Sequence, residues 1–181
     1  PFRLSERVCG AIEDGWVRDG GTLVFLPGLA AMREVKQRLT KLPIRLLHGT
    51  FAHKAQDSCF DDSSPRIVLA TNVAESSLTL PGITMVIDSG LEKRPVHQSG
   101  YVALSTVPIA VSSAEQRAGR AGRTAPGRCL RLWDKKARLE TQRPPDLERM
   151  ELDNLLLFLA CLPEGLATPM RWMDGPPGFA W

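Results

Sequence analysis

Gln116-Arg117-Ala118-Gly119-Arg120-Ala121-Gly122-Arg123 is the stretch whose residue types and spacing are best suited to chemistry. On a helix of about 3.6 residues per turn, Gln116, Arg120 and Arg123 project within roughly 60° of one another. Guanidinium groups offer forked, charge-assisted hydrogen bonds that match phosphate oxygens, so this face suits a polyphosphate. Ala118, Gly119, Ala121 and Gly122 fall on the opposite side, where small residues let a helix backbone approach a sheet. Two glycines cost a helix about 1 kcal/mol each relative to alanine, and close packing is the expected compensation. The bland alternative is a solvated basic helix, or a flexible Gly-Arg segment that binds nucleic acid without specificity.

A second polar string, Thr71-Asn72-Val73-Ala74-Glu75-Ser76-Ser77-Leu78-Thr79-Leu80, directly follows the strand-like run Arg66 to Ala70. Small hydroxyl and amide side chains at a strand's carboxyl end suit phosphate and ribose contacts, because open α/β sheets bind ligands along that edge. Thr71 or Asn72 would equally serve as the cap of a following helix. Asp88-Ser89-Gly90 ends another apolar run, and a lone aspartate there either meets a ligand or caps a turn.

The elements that must position these residues alternate along the chain. Leu4, Val8, Ala11 and Ile12 recur at helical spacing, and Gly20-Gly21 ends that helix. Residues 22–26 form a continuous apolar run, the pattern of a buried parallel strand, closed by Pro27-Gly28. Helix is expected over 29–39 and 52–60, and strand over 44–47, 66–70 and 83–87. Strand, helix, strand in this rhythm predicts βαβ units and a parallel sheet covered on both faces. Residues 101–107 suit a hairpin arm, Ser112 to Glu115 opens the arginine helix, and residues 128–133 make a last strand. Beyond about residue 140 the composition changes. Arg143-Pro144-Pro145-Asp146 reads as a linker and cap before an apolar helix over 147–162, and residues 170–181 are rich in Pro, Gly and Trp. The expected domains are therefore 1–140, and 141–181 as a linker with the beginning of a helical module.

Composition narrows the class. The 181 residues, 43% hydrophobic and 24% charged, suit one globular domain and leave room for the start of a second. No apolar run approaches the roughly 18 residues of a membrane span, and Pro1-Phe2-Arg3 leads straight into helical sequence, so no membrane partner and a cytoplasmic location are expected. Cys9, Cys59, Cys129 and Cys161 lack Cys-x-x-Cys spacing and stand beside apolar residues, which predicts buried thiols rather than disulfides or metal ligands. A net charge of +3 permits an anionic partner without demanding one.

Taken whole, Gln-Arg-Ala-Gly-Arg-Ala-Gly-Arg resembles motif VI of superfamily 2 helicases, and its leading glutamine is typical of DEAH-type enzymes. Residues 71–79 are similar to the DEAH motif V, with Ser76 in place of the usual threonine. Residues 23–28 resemble motif IV and His48-Gly49-Thr50 the loop that follows it. Residues 131–133 and 172–177 look like the bacterial HrpB-type branch, although a glycine interrupts its usual Asp-Pro-Pro-Pro. The resemblance covers roughly residues 20–162. It implies a RecA-like α/β domain of the P-loop NTPase type, with a parallel sheet, helices on both faces and the start of a winged-helix-type module. It implies the second motor domain of an ATP-dependent RNA helicase. Arg120 and Arg123 would be arginine fingers reaching the γ-phosphate, a role that contributes about 10³–10⁵ in rate, and Gln116 would help place the attacking water or the γ-phosphate.

The same resemblance places Phe60, Ser77, Thr79, Asp88 and Arg117 at the nucleotide. Phe60 would stack on adenine, although a core phenylalanine at a helix end is the plainer reading. It places Pro27, Gly28, His48, Gly49, Thr50, Thr71 and Asn72 on single-stranded RNA, with DNA as the alternative strand, although His48 alone would equally be a structural loop histidine. No Gly-x-x-x-x-Gly-Lys-Ser/Thr loop and no Asp-Glu-Ala-His occurs. ATP with magnesium is therefore expected to be bound jointly with an upstream RecA-like domain, with downstream C-terminal domains as further partners and no metal ligand in this chain.

Rival chemistry fares poorly. Ser89, Asp88 and His97 lack a Gly-x-Ser-x-Gly elbow, and adjacent Ser and Asp cannot easily complete a hydrolase triad. Pro27-Gly28-Leu29 is not a dinucleotide-binding glycine loop. The remaining alternative is a non-catalytic nucleic-acid-binding module that kept the fold and lost the motor.

Overall fold

The computed structural model describes residues 3–15, 20–61, 64–75, 78–98, 101–123, 126–143 and 153–161. They form helix α1 (Leu4–Gly15), strand β1 (Gly21–Phe25), helix α2 (Leu29–Arg38), strand β2 (Ile44–Leu47), short helix α3 (His53–Gln56) and strand β3 (Arg66–Ala70). Strands β4 (Ile83–Asp88), β5 (Leu91–Gln98) and β6 (Tyr101–Pro108) follow, then α4 (Val111–Ala118), β7 (Arg128–Arg131) and α5 (Asp153–Ala160). Contacts divide the chain into two compact units, Pro1–Lys93 with Thr106–Gln142, and Arg94–Ser105 with Arg143–Trp181.

The first unit is built on a five-stranded sheet in the order β2-β3-β1-β4-β7. Every pairing in it is parallel. Alternation along each strand feeds two cores, because successive side chains leave a strand on opposite faces. Val24, Leu26, Ile67, Leu69, Met85 and Ile87 pack with Val8 and Ile12 of α1 and with Met32 and Val35 of α2. Leu23, Phe25, Val68, Ala70 and Val86 pack on the other face with Cys59, Ala74, Leu80 and Ala121. Each fully buried aliphatic contributes about 1.5–3 kcal/mol, so the sheet is stabilised from both sides. This is the parallel, doubly covered sheet that the strand-helix rhythm predicts.

Several local expectations are corrected. The helix expected over 52–60 is one turn, His53–Gln56, continued by a 3₁₀ turn at Asp57–Cys59. The last strand stops at Arg131. Of the helix expected over 147–162, residues 153–160 are helical, while 147–152, residue 162 and the tail from 170 lie outside the described residues. Cys161 is exposed rather than buried, and all four cysteines are free. Burial pushes the pKa values of the Cys9, Cys59 and Cys129 thiols upward, which favours the protonated form over the thiolate.

The arginine helix departs most from expectation. Helix α4 ends at Ala118, and Arg120 and Arg123 lie in the turns beyond it. The helical-wheel face over 116–123 is therefore not what orients them. Nor do Gly119 and Gly122 answer to close packing. Both are exposed, and an added side-chain carbon at Gly122 would meet nothing within 4 Å. The packed small residue is Ala121, buried in the second core. The glycine that backbone proximity demands is Gly127, where such a carbon would sit 1.9 Å from the Ala121 carbonyl oxygen.

Candidate nucleotide and nucleic-acid site

Parallel topology sorts the candidate residues into two regions. Loops that leave the carboxyl ends of adjacent strands share one edge of the sheet, so Pro27 and Gly28 after β1, His48 to Thr50 after β2 and Thr71 and Asn72 after β3 are brought together there. Segments that enter β3 and β4 reach the opposite, amino edge. Phe60 precedes β3, half-buried against the second core beside Cys59. Thr71 follows the carboxyl end of β3, whereas Thr79 and Pro81 lead into the amino end of β4. Arg66, fully buried at the start of β3, clamps this amino edge by donating to Cys59 O at 3.0 Å and Pro81 O at 2.6 Å.

At the carboxyl edge, Pro27 and Gly28 are buried, and a side-chain carbon at Gly28 would lie 3.3 Å from Lys93 Cδ. Asn72 and residues 49 and 50 are exposed. His48 Nδ1 accepts from the Thr50 backbone at 3.2 Å and lies 2.8 Å from the Thr50 hydroxyl, a short bracket that shapes the loop. Thr71 occupies the cap position of the 3₁₀ turn Asn72–Ala74 but makes no side-chain capping bond. The capping alternative for Thr71 is therefore not realised.

Arg117 and Asp88 sit in the interior. Arg117 is 1% exposed and Asp88 0%. Arg117 Nη1 donates to Asp88 Oδ1 at 2.9 Å and to Leu91 O at 3.2 Å, its Nε donates to Glu75 Oε1 at 2.8 Å, and its guanidinium lies 4.8 Å from the Phe25 ring centre. The two residues belong to a buried ion cluster in which Arg117 bridges the carboxylates of Asp88 and Glu75. Asp88 Oδ1 also accepts from Gly90 N at 2.9 Å, while Oδ2 is buried without a partner. Burial raises the Asp88 carboxyl above the ordinary range despite the opposing pull of Arg117 and the Gly90 hydrogen bond.

Arg120 and Arg123 differ from each other. Arg120, 6% exposed, donates to the carbonyls of Glu75 and Leu78, the latter at 2.6 Å. Burial and the neighbouring Arg123 lower its pKa. Arg123 is exposed and donates to Thr79 Oγ1 at 2.8 Å, and Gln116 is also exposed. Ser77 lies outside the described residues. The residue that sequence reasoning passed over is Glu75, which joins Arg117 and Arg120. Its signal was present, since it is the one charged residue between Ile67 and Leu80.

A parallel sheet covered on both faces, with polar loops on its carboxyl edge and arginines fixed beside the segment after β3, is the arrangement of a RecA-like motor domain. Residues 7–125 match the helicase conserved C-terminal domain. The chain is 36% identical over 167 residues to the ATP-dependent RNA helicase DEAH12, chloroplastic, of Arabidopsis thaliana, covering 88% of this chain and 9% of that protein. It is 34% identical over 178 residues to a probable ATP-dependent RNA helicase, the DHX35 homolog of Caenorhabditis elegans, covering 89% of this chain and 24% of that protein. The crystal structure of the Escherichia coli DEAH/RHA helicase HrpB superposes with a TM-score of 0.81 at 30% identity, over 96% of this chain and 23% of that one. The chain belongs to the helicase conserved C-terminal domain family and is the C-terminal RecA-like domain of a DEAH-type helicase. It spans a quarter or less of the length of these relatives, at 9%, 24% and 23%. Among the described residues no helix is long and apolar enough to cross a membrane.

Proposed function

We propose that this chain is the second motor half of an ATP-dependent RNA helicase, supplying arginines to ATP hydrolysis and half of a single-stranded nucleic-acid track. The observation that carries the reading is Arg123, an exposed guanidinium held at 2.8 Å by Thr79 at the opposite end of the domain from the loops suited to nucleic acid. Such an arginine costs little to present and needs no rearrangement of the core.

In this reading Arg123 and Arg120 neutralise charge that develops during phosphoryl transfer, and exposed Gln116 orients the attacking water. ATP supplies the phosphoryl group that passes to water. Phe60 offers an aromatic flank to the base from the amino edge. Asn72, Thr71 and the His48–Thr50 loop hold the nucleic-acid backbone, which makes binding sequence-tolerant. Among the described residues no group of three or more His, Cys, Asp or Glu is placed to hold a metal ion. The magnesium that accompanies ATP, and the phosphate-cradling loop, then fall to an upstream RecA-like domain, with further C-terminal domains downstream. Arg117 and Asp88 act here as positioning residues.

The test is steady-state ATP turnover by the full-length protein with saturating single-stranded RNA. Arg123→Ala should remove most of it while circular dichroism stays native, and this 181-residue chain alone should not turn over ATP. Near wild-type turnover by Arg123→Ala and Arg120→Ala, both folded, would favour a nucleic-acid-binding module without motor chemistry.

A further inference from the structure

We propose that the outer edge of β2 carries a groove for single-stranded RNA, where the strand continues past the loops of the carboxyl edge. The proposal rests on the nucleic-acid reading above and lengthens that track. β2 is an outermost strand of the sheet, paired with β3 alone. Beside it opens a cleft of about 520 Å³, walled by Lys36, Arg45, Phe51 and Ser58 and running from Phe51, past the carboxyl end of β2, to Pro43 at its amino end. Clefts of roughly 300–1,000 Å³ are of ligand-holding size. Among the described residues the wall holds two cations and no carboxylate. Lys36 stands exposed on α2. Arg45 Nη1 donates to Ser58 O at 2.8 Å, which holds the guanidinium at the wall. That bond uses one of five N–H donors, and the others suit phosphate oxygens. Phe51 is half-buried, its ring centre 5.9 Å from that of His48. Its N–H donates to His48 O at 3.0 Å and its carbonyl accepts from Gln56 Nε2 at 2.7 Å, so its backbone is fixed on both sides where the His48–Thr50 loop meets the cleft.

An aromatic at the mouth with cations along the wall is the combination that holds single-stranded nucleic acid, because a base stacks on the ring while phosphates meet the charges. Burial raises the pKa of the Cys59 thiol under this edge, and the charges that oppose the rise are Arg45, Arg66 and Lys36. All three are positive, so the local potential attracts an anion. Cations on an edge strand also discourage pairing with a stray strand. That role needs neither an open cleft nor an aromatic at its mouth. The rival occupant is an acidic peptide added to β2 as a further strand. Ile67 N–H donates to Pro43 O, so in this parallel ladder Ile44 and Leu46 turn their backbone groups outward, and an added strand would have to pair with them. Ile44 N–H already donates to Leu42 O at 2.8 Å, and Leu46 O accepts from Cys59 Sγ at 3.6 Å. RNA requires neither group.

The experiment measures binding of the full-length protein to single-stranded oligouridylates of increasing length over a salt series, with Tm as the folding control. Wild type is compared with the double variant Lys36→Gln and Arg45→Gln, with Phe51→Ala and with Asn72→Ala. Short RNA that fills only the carboxyl-edge loops should bind the double variant and wild type alike. Longer RNA should bind the double variant about tenfold more weakly, and the slope of log K against log salt should flatten by about 1.4, which is about 0.7 for each of two phosphates. Phe51→Ala should lose about fivefold or more on longer RNA only, as for one stacked base. Crosslinking needs no variant: longer RNA carrying 4-thiouridine should crosslink to Phe51 or to residues 42–46 of the wild type. Equal affinity of the double variant and wild type at every length overturns the proposal alone. So does a loss that is the same at every length, since the two charges would then act on the loops, and so does the absence of those crosslinks. An oligoglutamate peptide that binds wild type and not the double variant, while RNA of every length binds both alike, assigns the edge to an acidic partner and also overturns it. Wild type that does not bind single-stranded RNA, or Asn72→Ala that binds short RNA as wild type does, overturns the nucleic-acid reading and this proposal with it.

Discussion

Arg117 Nη1 and Asp88 Oδ1 form an ion pair 2.9 Å long in which both side chains are sealed from solvent. The pair ties helix α4 to the end of strand β4, between β1 and β7 in the sheet. From spacing alone, Arg117 lies off the Gln116/Arg120/Arg123 face, which predicts a milder effect of its loss on the chemistry. For stability its burial makes it the costliest of the three to lose. Arg117→Ala leaves the carboxylates of Asp88 and Glu75 without their shared cation, and breaking a buried pair in this way costs about 3–5 kcal/mol. Arg120→Ala strips two carbonyls of their donor and should cost roughly 1–3 kcal/mol. Exposed Arg123→Ala should stay within about 0.5 kcal/mol of wild type. Urea titrations of the three variants give the order, and an Arg117→Ala protein as stable as Arg123→Ala would show that the cluster contributes nothing.

The same pair predicts a pH dependence. Burial raises the native carboxyl of Asp88, and its unpartnered Oδ2 is where a proton would sit. As pH rises past the ordinary aspartate value of about 3.9, the unfolded chain loses its proton first. Between that value and the raised native one the folded state binds more protons, so stability falls with rising pH and levels off above the native value. Wild type should therefore lose ground to Asp88→Asn as pH rises through this window, in thermal melts. Wild type gaining on Asp88→Asn instead would mean that attraction to Arg117 outweighs burial.

Thr71 distinguishes a ligand contact from a cap. Because its side chain does not cap the Asn72–Ala74 turn, Thr71→Ala should leave Tm nearly unchanged, without the loss of about 1 kcal/mol typical of a removed cap. RNA affinity of the full-length protein should drop, and it should fall with salt in wild type and variant alike, as backbone-dominated binding does. A lowered Tm with unaltered RNA affinity would restore the capping role.

Gly90 follows Asp88 and Ser89 with φ of 74°, and an added side-chain carbon would lie 2.5 Å from the Trp133 ring. Left-handed backbone and overpacking together should make Gly90→Ala cost roughly 2–4 kcal/mol. Replacing Trp133 by a smaller apolar residue in the same protein should recover part of that loss. No recovery in the double variant would leave backbone conformation as the whole cause.

The sequence by itself determined the sheet. Apolar runs of strand length separated by helical spacing are local patterns, and burial on both faces imposes them directly on residue type, so the strands fall where those runs lie, within two residues at their ends. It also determined which loops share the carboxyl edge, because a parallel sheet sends Pro27, His48 and Thr71 to one side whatever their packing. The motif strings carried the family for the same reason: they are contiguous. Tertiary structure alone decided how the charges are spent. Whether Arg117 faces solvent or a buried carboxylate depends on Glu75 and Asp88, 42 and 29 residues away. No periodicity within 116–123 encodes that distance, and α4 ends before the wheel can apply. It also separated Arg120 from Arg123, identical in type and three residues apart, by giving one the carbonyls of Glu75 and Leu78 and the other the exposed hydroxyl of Thr79. Hydrogen-bond partners across a fold are set by where its elements pack, which a chain read in order does not contain.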